Sequence, residues 1–236
     1  GLFALLAMSC KEDMSLLVIM LGMYGLVSAW RSGTGLAGKA ALGWGAVSVG
    51  LGAAWFAACI YLIVPAFSAS GSYPLFQRYA EVGGGLSGLV STLLTRPGAI
   101  LAMLAEPARV SYVTGLLAGA GFLSLLNPLS LLIAAPSLAI NLLSNYPVMY
   151  SGVSHYSAPL VPWVIVSAVL GVAWLCRRVV KLGGRAAGAV PVALLAWLLA
   201  WALGYHAAFG FTPLGGRFHL PQVTEHQRLA QRFLEQ

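Results

Sequence analysis

Residues 40–67 read AALGWGAVSVGLGAAWFAACIYLIVPAF, 28 consecutive positions without a charged side chain. A helix needs about 20 mainly apolar residues to cross the hydrocarbon core of a bilayer. This stretch is therefore long enough to span a membrane, and it decides the fold class. Further apolar windows that approach the same length lie at residues 14–30, 111–126, 129–144, 160–176 and 187–205.

The sequence begins inside another apolar run. Residues 2–9 would reach only about 12 Å as a helix, which is too short to cross, and they lack the basic region and cleavage site of a signal peptide. We therefore expect a fragment cut through a helix, with the C-terminal end cut as well. The predicted fold is an all-α, polytopic transmembrane bundle of about six full spans plus a truncated N-terminal helix, covering residues 1–210. Residues 211–236 would begin an extracytoplasmic segment.

The composition excludes a soluble protein. Of the 236 residues, 59% are hydrophobic and 8% are charged, against about 25% charged in a typical soluble domain. The net charge of +7 comes from short basic clusters next to the spans, a pattern typical of contacts with anionic lipid headgroups, so no nucleic-acid partner is expected. The three cysteines, Cys10, Cys59 and Cys176, show no metal-ligand spacing and predict neither a disulfide framework nor a zinc site.

The charges also predict the orientation. The loops at residues 31–39 and 177–185 carry six basic residues and no acid, which indicates that both are cytoplasmic. Alternating the four spans that lie between these two loops returns the chain to the cytoplasm at the second loop. All the acidic residues then lie on the extracytoplasmic side: Glu12, Asp13, Glu81, Glu106, Glu225 and Glu235. We predict a multi-pass protein of the inner (plasma) membrane, with any polar chemistry on its outer face.

The outer stretch 68–110 contains apolar pieces too short to span. Residues 86–94 and 99–104 are each followed by a charged residue and a proline, Arg96-Pro97 and Glu106-Pro107. Such short pieces suit the membrane interface. We therefore expect this stretch to lie on the membrane surface, with no straight helix from Leu86 to Leu104.

The first candidate site is Lys11-Glu12-Asp13, three consecutive charges between two apolar helices. In one interpretation Lys11 neutralises a substrate phosphate, and Glu12 or Asp13 acts as a general base or orients a hydroxyl. In the other, the residues form a hairpin tip in which Asp13 is the N-cap of the helix that begins at Met14.

The second candidate site is the loop at residues 145–157, which contains three tyrosines, a histidine and several hydroxyls between two spans. Aromatic faces with hydrogen-bonding tips suit sugar binding, so Tyr150, His155 and Tyr156 are candidate substrate contacts. An interfacial belt would explain the tyrosines equally well. His155 has a structural hydrogen bond as its alternative role. We predict that His155 and Tyr156 share an outer cavity with Lys11, Glu12 and Asp13.

Arg78, with Glu81 nearby, and Arg109 form a third group. Arg78 is a candidate substrate contact, and the alternative is a rim ion pair worth under about 1 kcal/mol. His206, His219 and His226 are irregularly spaced, so they predict no metal site. No cofactor is predicted, and a dependence on a divalent metal stays open.

Several stretches resemble a bacterial membrane protein family known as domain-of-unknown-function 2079. They are residues 5–24 around Lys11-Glu12-Asp13, residues 63–67 with Gly71-Ser72-Tyr73, residues 136–144, residues 155–159, and Arg217-Phe218 through residues 221–224. That family is similar to the GT-C glycosyltransferases, which take a sugar from a polyprenyl-phosphate donor on the extracytoplasmic side. The resemblance implies that Lys11 contacts the donor phosphate and that a catalytic aspartate lies in a first outer loop upstream of Gly1.

The predicted function is therefore a GT-C-like glycosyltransferase that moves a sugar from a lipid-phosphate donor to an extracytoplasmic acceptor. Membrane lipids and the lipid-linked donor are the expected partners; the oligomeric state is not predicted. The alternative is a transporter or flippase of a lipid-linked or small polar substrate, although no internal repeat of the kind common in transporters is found. A non-catalytic membrane scaffold is a third interpretation.

Overall fold

The computed structural model describes residues 1–32, 35–69, 71, 73–183 and 186–220, and within these all regular structure is helical. The predicted outer segment at residues 211–236 is therefore described only to residue 220, and Arg185, Glu225 and Glu235 lie outside the described residues. The α-helices are α1 (Leu2–Cys10), α2 (Met14–Ser32), α3 (Leu36–Ala58), α4 (Val64–Phe67), α5 (Leu86–Thr95), α6 (Pro97–Leu104), α7 (Pro107–Ala118), α8 (Pro128–Leu131), α9 (Ala135–Leu142), α10 (Val161–Leu182) and α11 (Ala186–Phe209). A π-helical turn, Cys59–Ile63, joins α3 to α4. Short 3₁₀ helices cover Pro74–Val82, Leu123–Leu126, Leu132–Ala134, Pro147–Tyr150 and His155–Ser157.

Four described helices are long and apolar enough to cross a membrane: Met14–Arg31, Gly38–Phe67, Val161–Lys181 and Ala187–Phe209. They match four of the six predicted windows. The windows at 111–126 and 129–144 are not among them, so the predicted count of six full spans is not confirmed. None of the four described acidic residues lies within these four helices.

Residues 107–144 form a hairpin of helices that are shorter than a full span. After α7 the backbone turns at Gly121 and Phe122, which have φ angles of 58° and 61°, and the Trp197 indole donates a hydrogen bond of 2.9 Å to the Gly121 carbonyl. The return arm is broken at Pro128 and again before Pro136. Because the start of α7 contacts the end of α9, the chain leaves and returns to the same end of the bundle. A hairpin that returns to its starting side leaves the chain on the same side as two crossings would. The predicted orientation of α10 is therefore unchanged.

The stretch at residues 68–110 is bent, as the sequence predicts. The helices Pro74–Thr95 and Pro97–Leu104 meet at 100°, so no straight helix runs from Leu86 to Leu104. The bend falls at Pro97, which cannot donate a backbone hydrogen bond. Ile100 and Met103 of α6 are buried against Val82. The location of this stretch at the membrane surface stays a prediction.

Glycines allow α2 and α3 to pack closely. A Cβ atom on Gly45 would lie 2.8 Å from the Gly22 carbonyl oxygen, and one on Gly52 would lie 2.8 Å from the Ser15 carbonyl oxygen. Helix pairs in membranes gain their stability from such close packing between small residues. The Trp55 indole, which donates to the Met8 carbonyl over 2.9 Å, connects the same pair to α1.

Candidate functional site

A cavity of about 400 Å³ lies at one end of the helix bundle. It is bounded by the turn between α1 and α2, the end of α3 with its π turn, the 3₁₀ helix Pro74–Val82, α9 and the turn before α10. Its polar lining consists of Lys11, Glu12, Asp13, Tyr73, Arg78, Tyr79, His155 and Tyr156. The rest of the lining is apolar and includes Phe56, Ile60, Leu89, Ile140 and Leu143. The cavity therefore has a charged part and a hydrocarbon part.

Lys11 and Asp13 form an ion pair within the charged turn. The Lys11 ammonium lies 2.7 Å from Asp13 Oδ2. Asp13 is only 6% exposed, and its Oδ1 atom is buried without a hydrogen-bond partner. An N-cap carboxylate accepts a hydrogen bond from a backbone N–H two or three residues further on. Since one oxygen is bonded to Lys11 and the other has no partner, these contacts do not support the N-cap interpretation.

Glu12 is held by a tyrosine that sequence reasoning missed. The Tyr73 hydroxyl donates a hydrogen bond of 2.5 Å to Glu12 Oε1. Burial raises the pKa of the Tyr73 phenol well above its usual value, and the hydrogen bond to the Glu12 carboxylate raises that pKa further. Tyr73 therefore stays a neutral donor, and Glu12 is engaged within the protein.

Arg78 enters the cavity from the 3₁₀ helix Pro74–Val82. Its guanidinium donates to the Tyr156 hydroxyl over 3.2 Å and lies 4.9 Å from the Tyr146 ring centre. Within the described part of the chain it forms no ion pair, so the alternative of a rim pair with Glu81 is not observed. Arg78 thus supplies a positive charge that none of the described carboxylates neutralises, whereas Asp13 neutralises Lys11.

Tyr156 contacts both cations of the cavity. Besides accepting from Arg78, its ring lies 5.6 Å from the Lys11 ammonium and 4.3 Å from the His155 ring, centre to centre. His155 is exposed and makes a 3.3 Å contact with the Ser154 hydroxyl. The two predicted loops therefore meet at one cavity, and Tyr156 connects them.

A buried polar network holds this turn in place. The Asn141 amide donates to the Tyr112 hydroxyl over 2.9 Å and to the Tyr156 backbone carbonyl over 3.0 Å. The Tyr112 hydroxyl is 3.1 Å from the Ser157 hydroxyl. Sequence reasoning missed Asn141, although an asparagine in an apolar window needs a hydrogen-bond partner, and that requirement was the available signal.

Tyr150 does not line the cavity, although it was a candidate substrate contact. Its ring packs 4.6 Å from the guanidinium of Arg109. Arg109 is buried, donates to the Leu142 carbonyl over 2.7 Å and to the Ser144 carbonyl over 3.1 Å, and pairs with Glu106. These carbonyls lie at the C-terminal end of α9, where helices leave acceptors unpaired. Tyr150 thus packs against the hairpin of residues 107–144, to which Arg109 belongs.

The remaining missed cavity residue is Tyr79, which neighbours Arg78 on the same 3₁₀ helix. Its position in a short outer segment gave no signal that it would line the same cavity as Asp13. Among the described residues, no group of three or more His, Cys, Asp or Glu side chains could hold a metal ion.

The arrangement suits an amphiphile with an anionic head. Arg78 can bind an anionic oxygen, because a guanidinium presents several N–H donors in one plane. Phe56, Ile60 and their apolar neighbours can cover a hydrocarbon chain, and burial of each CH₂ contributes about 0.8 kcal/mol. The carboxylates can accept hydrogen bonds from hydroxyl groups in the same cavity.

The fold and this cavity define a helical, multi-pass membrane protein with an amphipathic site at one end of its bundle. The family model described as "predicted membrane protein (DUF2079)" matches residues 1–236, so the chain belongs to that family. No curated protein and no solved structure shows significant similarity to this chain.

Proposed function

We propose that this chain belongs to a membrane enzyme that transfers a glycosyl unit from a polyprenyl-phosphate carrier to an acceptor hydroxyl. The observation that carries the proposal is the cavity itself, which combines apolar lining with Lys11, two carboxylates and Arg78, a cation that pairs with no described carboxylate. A lipid phosphate presents the complementary chemistry, with a charged head and a hydrocarbon tail.

In the proposed reaction, Arg78 and Lys11 hold the carrier phosphate and Glu12 or Asp13 receives the proton of the acceptor hydroxyl. The acceptor oxygen forms a bond to the anomeric carbon as the bond from that carbon to the phosphate oxygen breaks. The phosphate leaves with the bonding electron pair, and the nearby cations stabilise its charge. His155 and Tyr156 line the same cavity and would contact the sugar.

We further propose that the cavity opens on the extracytoplasmic side. It adjoins the start of α2, the end of α3 and the turn before α10. Arg31 follows at the end of α2, and Arg177, Arg178 and Lys181 lie near the end of α10. The basic residues therefore occupy the opposite end of these helices, and basic loops favour the cytoplasm.

A transporter or flippase of a lipid-linked substrate is the second candidate function. The 100° bend between Pro74–Thr95 and Pro97–Leu104 favours it, because many transporters build their substrate sites from broken helices. Both functions use the same ligand chemistry, and they differ in whether a glycosidic bond is made.

The test uses purified protein in liposomes that contain a polyprenyl phosphoglucose with a radiolabelled sugar. Enzymatic function predicts that the label leaves the lipid fraction for water or an added sugar alcohol. We expect Arg78→Gln to weaken binding of polyprenyl phosphate by about tenfold, the usual effect of losing a charge-assisted contact. Arg96→Gln, an exposed arginine outside the cavity, is the matched control. Label that crosses the bilayer while still attached to lipid supports the transporter, and wild-type protein that does not bind the carrier refutes both functions.

A further inference from the structure

Asp13 has an oxygen that the protein itself does not use. Its side chain is 9% exposed and lines the cavity. Oδ2 accepts a hydrogen bond from Lys11, while Oδ1 has no partner. A buried carboxylate oxygen without a donor is costly, since burial removes its hydration. Asp13 therefore lines the cavity with a carboxylate whose hydrogen bonding is incomplete.

Glu12 differs from Asp13 although it is the adjacent residue. Its Oε1 accepts from Tyr73, and the carboxylate is half-buried. Of the two carboxylates in the turn, only Asp13 combines near-complete burial with an unpartnered oxygen. The two acids are thus not equivalent.

The missing partner of Asp13 Oδ1 is a hydrogen-bond donor. The cations already in the cavity are directed elsewhere, because Lys11 binds the other oxygen and Arg78 donates to Tyr156. Within an amphiphile that has an anionic head, the group able to donate is a hydroxyl. A hydroxyl donating to a carboxylate forms a short, charge-assisted hydrogen bond.

We infer that the charged part of the cavity is a hydroxyl-binding subsite in which Asp13 Oδ1 accepts a hydrogen bond from the ligand, whereas Glu12 is bound to Tyr73. Oδ1 is covered in the structure, so the ligand hydroxyl reaches it through a small rotation of the Asp13 carboxylate about its contact with Lys11. The choice of a glycosyl ligand rests on the proposed function. The inference itself concerns only the hydroxyl donor, so the two can fail separately.

The test measures binding of hexyl glucoside and of its singly fluorinated analogues to purified protein in lipid nanodiscs. Fluorine resembles a hydroxyl in size but cannot donate. In wild type we expect at least one analogue to bind about tenfold more weakly than the parent, as for loss of a hydrogen bond to a charged group. In Asp13→Asn the amide oxygen pairs with Lys11 and an NH₂ group replaces Oδ1, so that the preference for hydroxyl over fluorine disappears.

Each comparison is made between two ligands on the same protein, so a general loss of stability does not imitate the result. Glu81→Gln, an exposed acid outside the cavity, is the matched control and should retain the preference. If Asp13→Asn does not fold, Asp13→Glu moves the carboxylate by one methylene and should also reduce the preference. The inference is overturned if wild-type protein binds the parent glucoside and all its fluorinated analogues equally well. It is also overturned if an Asp13 variant keeps the preference for hydroxyl over fluorine. Hexyl phosphate, measured alongside, tests the anion site: its failure to bind counts against the proposed function and leaves the hydroxyl result standing.

Discussion

The Tyr73 hydroxyl and Glu12 Oε1 form a hydrogen bond of 2.5 Å across 61 positions of the sequence. The bond fastens the entry of the 3₁₀ helix Pro74–Val82 to the charged turn between α1 and α2. That helix carries Arg78 and Tyr79 into the cavity. The position of Arg78 therefore depends on a contact between two distant segments.

Tyr73→Phe removes this contact and keeps the ring. We expect the free energy of unfolding to fall by about 1–2 kcal/mol, because a hydrogen bond to a carboxylate is lost. Tyr61→Phe is the control, since Tyr61 is largely exposed on the π turn. The measurement is thermal unfolding of both variants in the same detergent, and equal melting temperatures for Tyr73→Phe and wild type would contradict the role of the bond.

The same residue predicts a dependence on alkaline pH. Folding raises the pKa of Tyr73 through burial and Glu12, so its neutral form contributes stability that is complete below the unfolded value of about 10. That contribution is lost as the pH rises above about 10. We expect the melting temperature of wild type to fall more steeply than that of Tyr73→Phe between about pH 9 and 11. Parallel curves would count against this assignment.

Asn141→Ala tests the network behind the cavity. It removes hydrogen bonds to the Tyr112 hydroxyl and the Tyr156 carbonyl, and we expect a loss of about 2 kcal/mol, since buried groups are left unpaired. Because Tyr156 is held by this amide, ligand binding in the cavity should weaken as well. Asn145→Ala is the control, as its exposed amide makes one 3.3 Å bond to the Gln77 carbonyl. A similar loss of stability in both variants would remove the special role of Asn141.

Gly45→Val tests the contact between α2 and α3. Its side chain would meet the Gly22 carbonyl oxygen at 2.8 Å and the Leu26 side chain at 2.9 Å, and overpacking of this kind costs about 1–3 kcal/mol. Gly50→Val lies on the same helix, where an added Cβ meets nothing within 4 Å. We expect a lower melting temperature only for Gly45→Val, and a matching decrease for Gly50→Val would indicate a propensity effect.

The topology is tested by single cysteines in a background without Cys10, Cys59 and Cys176. Membrane-impermeant thiol reagents applied to intact cells should label cysteines placed at Gly71 and Leu214. They should label those at Gly35 and Gly183 only after the cells are opened. All four positions are exposed in the structure, so accessibility from the two sides is the variable. The reversed pattern would place the cavity on the cytoplasmic side.

The long helices were predictable because their signal is local. Uninterrupted apolar windows predicted α2, α3, α10 and α11, and Arg96-Pro97 predicted the bend after α5. The hairpin at residues 107–144 was not recognised, since its arms are as apolar as spans. What breaks it is the turn at Gly121 and Phe122, whose positive φ angles are stabilised by Trp197 from a helix 76 positions away. Composition alone does not carry that information.

The residues of the candidate cavity were likewise predicted only in part. Lys11, Glu12, Asp13, His155 and Tyr156 were predicted to share a cavity, because charges and hydroxyls between apolar spans have few other reasons to be there, and the structure brings them together. Tyr73 and Tyr79 were missed because they lie in a segment of ordinary loop composition. Tyr150 was selected by proximity in sequence, but its ring faces Arg109. The substrate roles of the predicted site residues stay predictions.

The close contact of α2 with α3 bears on the order in which the protein is assembled. These helices are neighbours in the chain, so they can pair as soon as the second has been synthesised, whereas contacts between distant segments must wait for the rest. Lys11, Glu12 and Asp13 thus take up their positions early, and the turn with His155 and Tyr156 arrives about a hundred and forty residues later. The cavity is completed only once α9 and the turn before α10 have been synthesised, and a chain that stalls before then has a charged turn but no complete cavity.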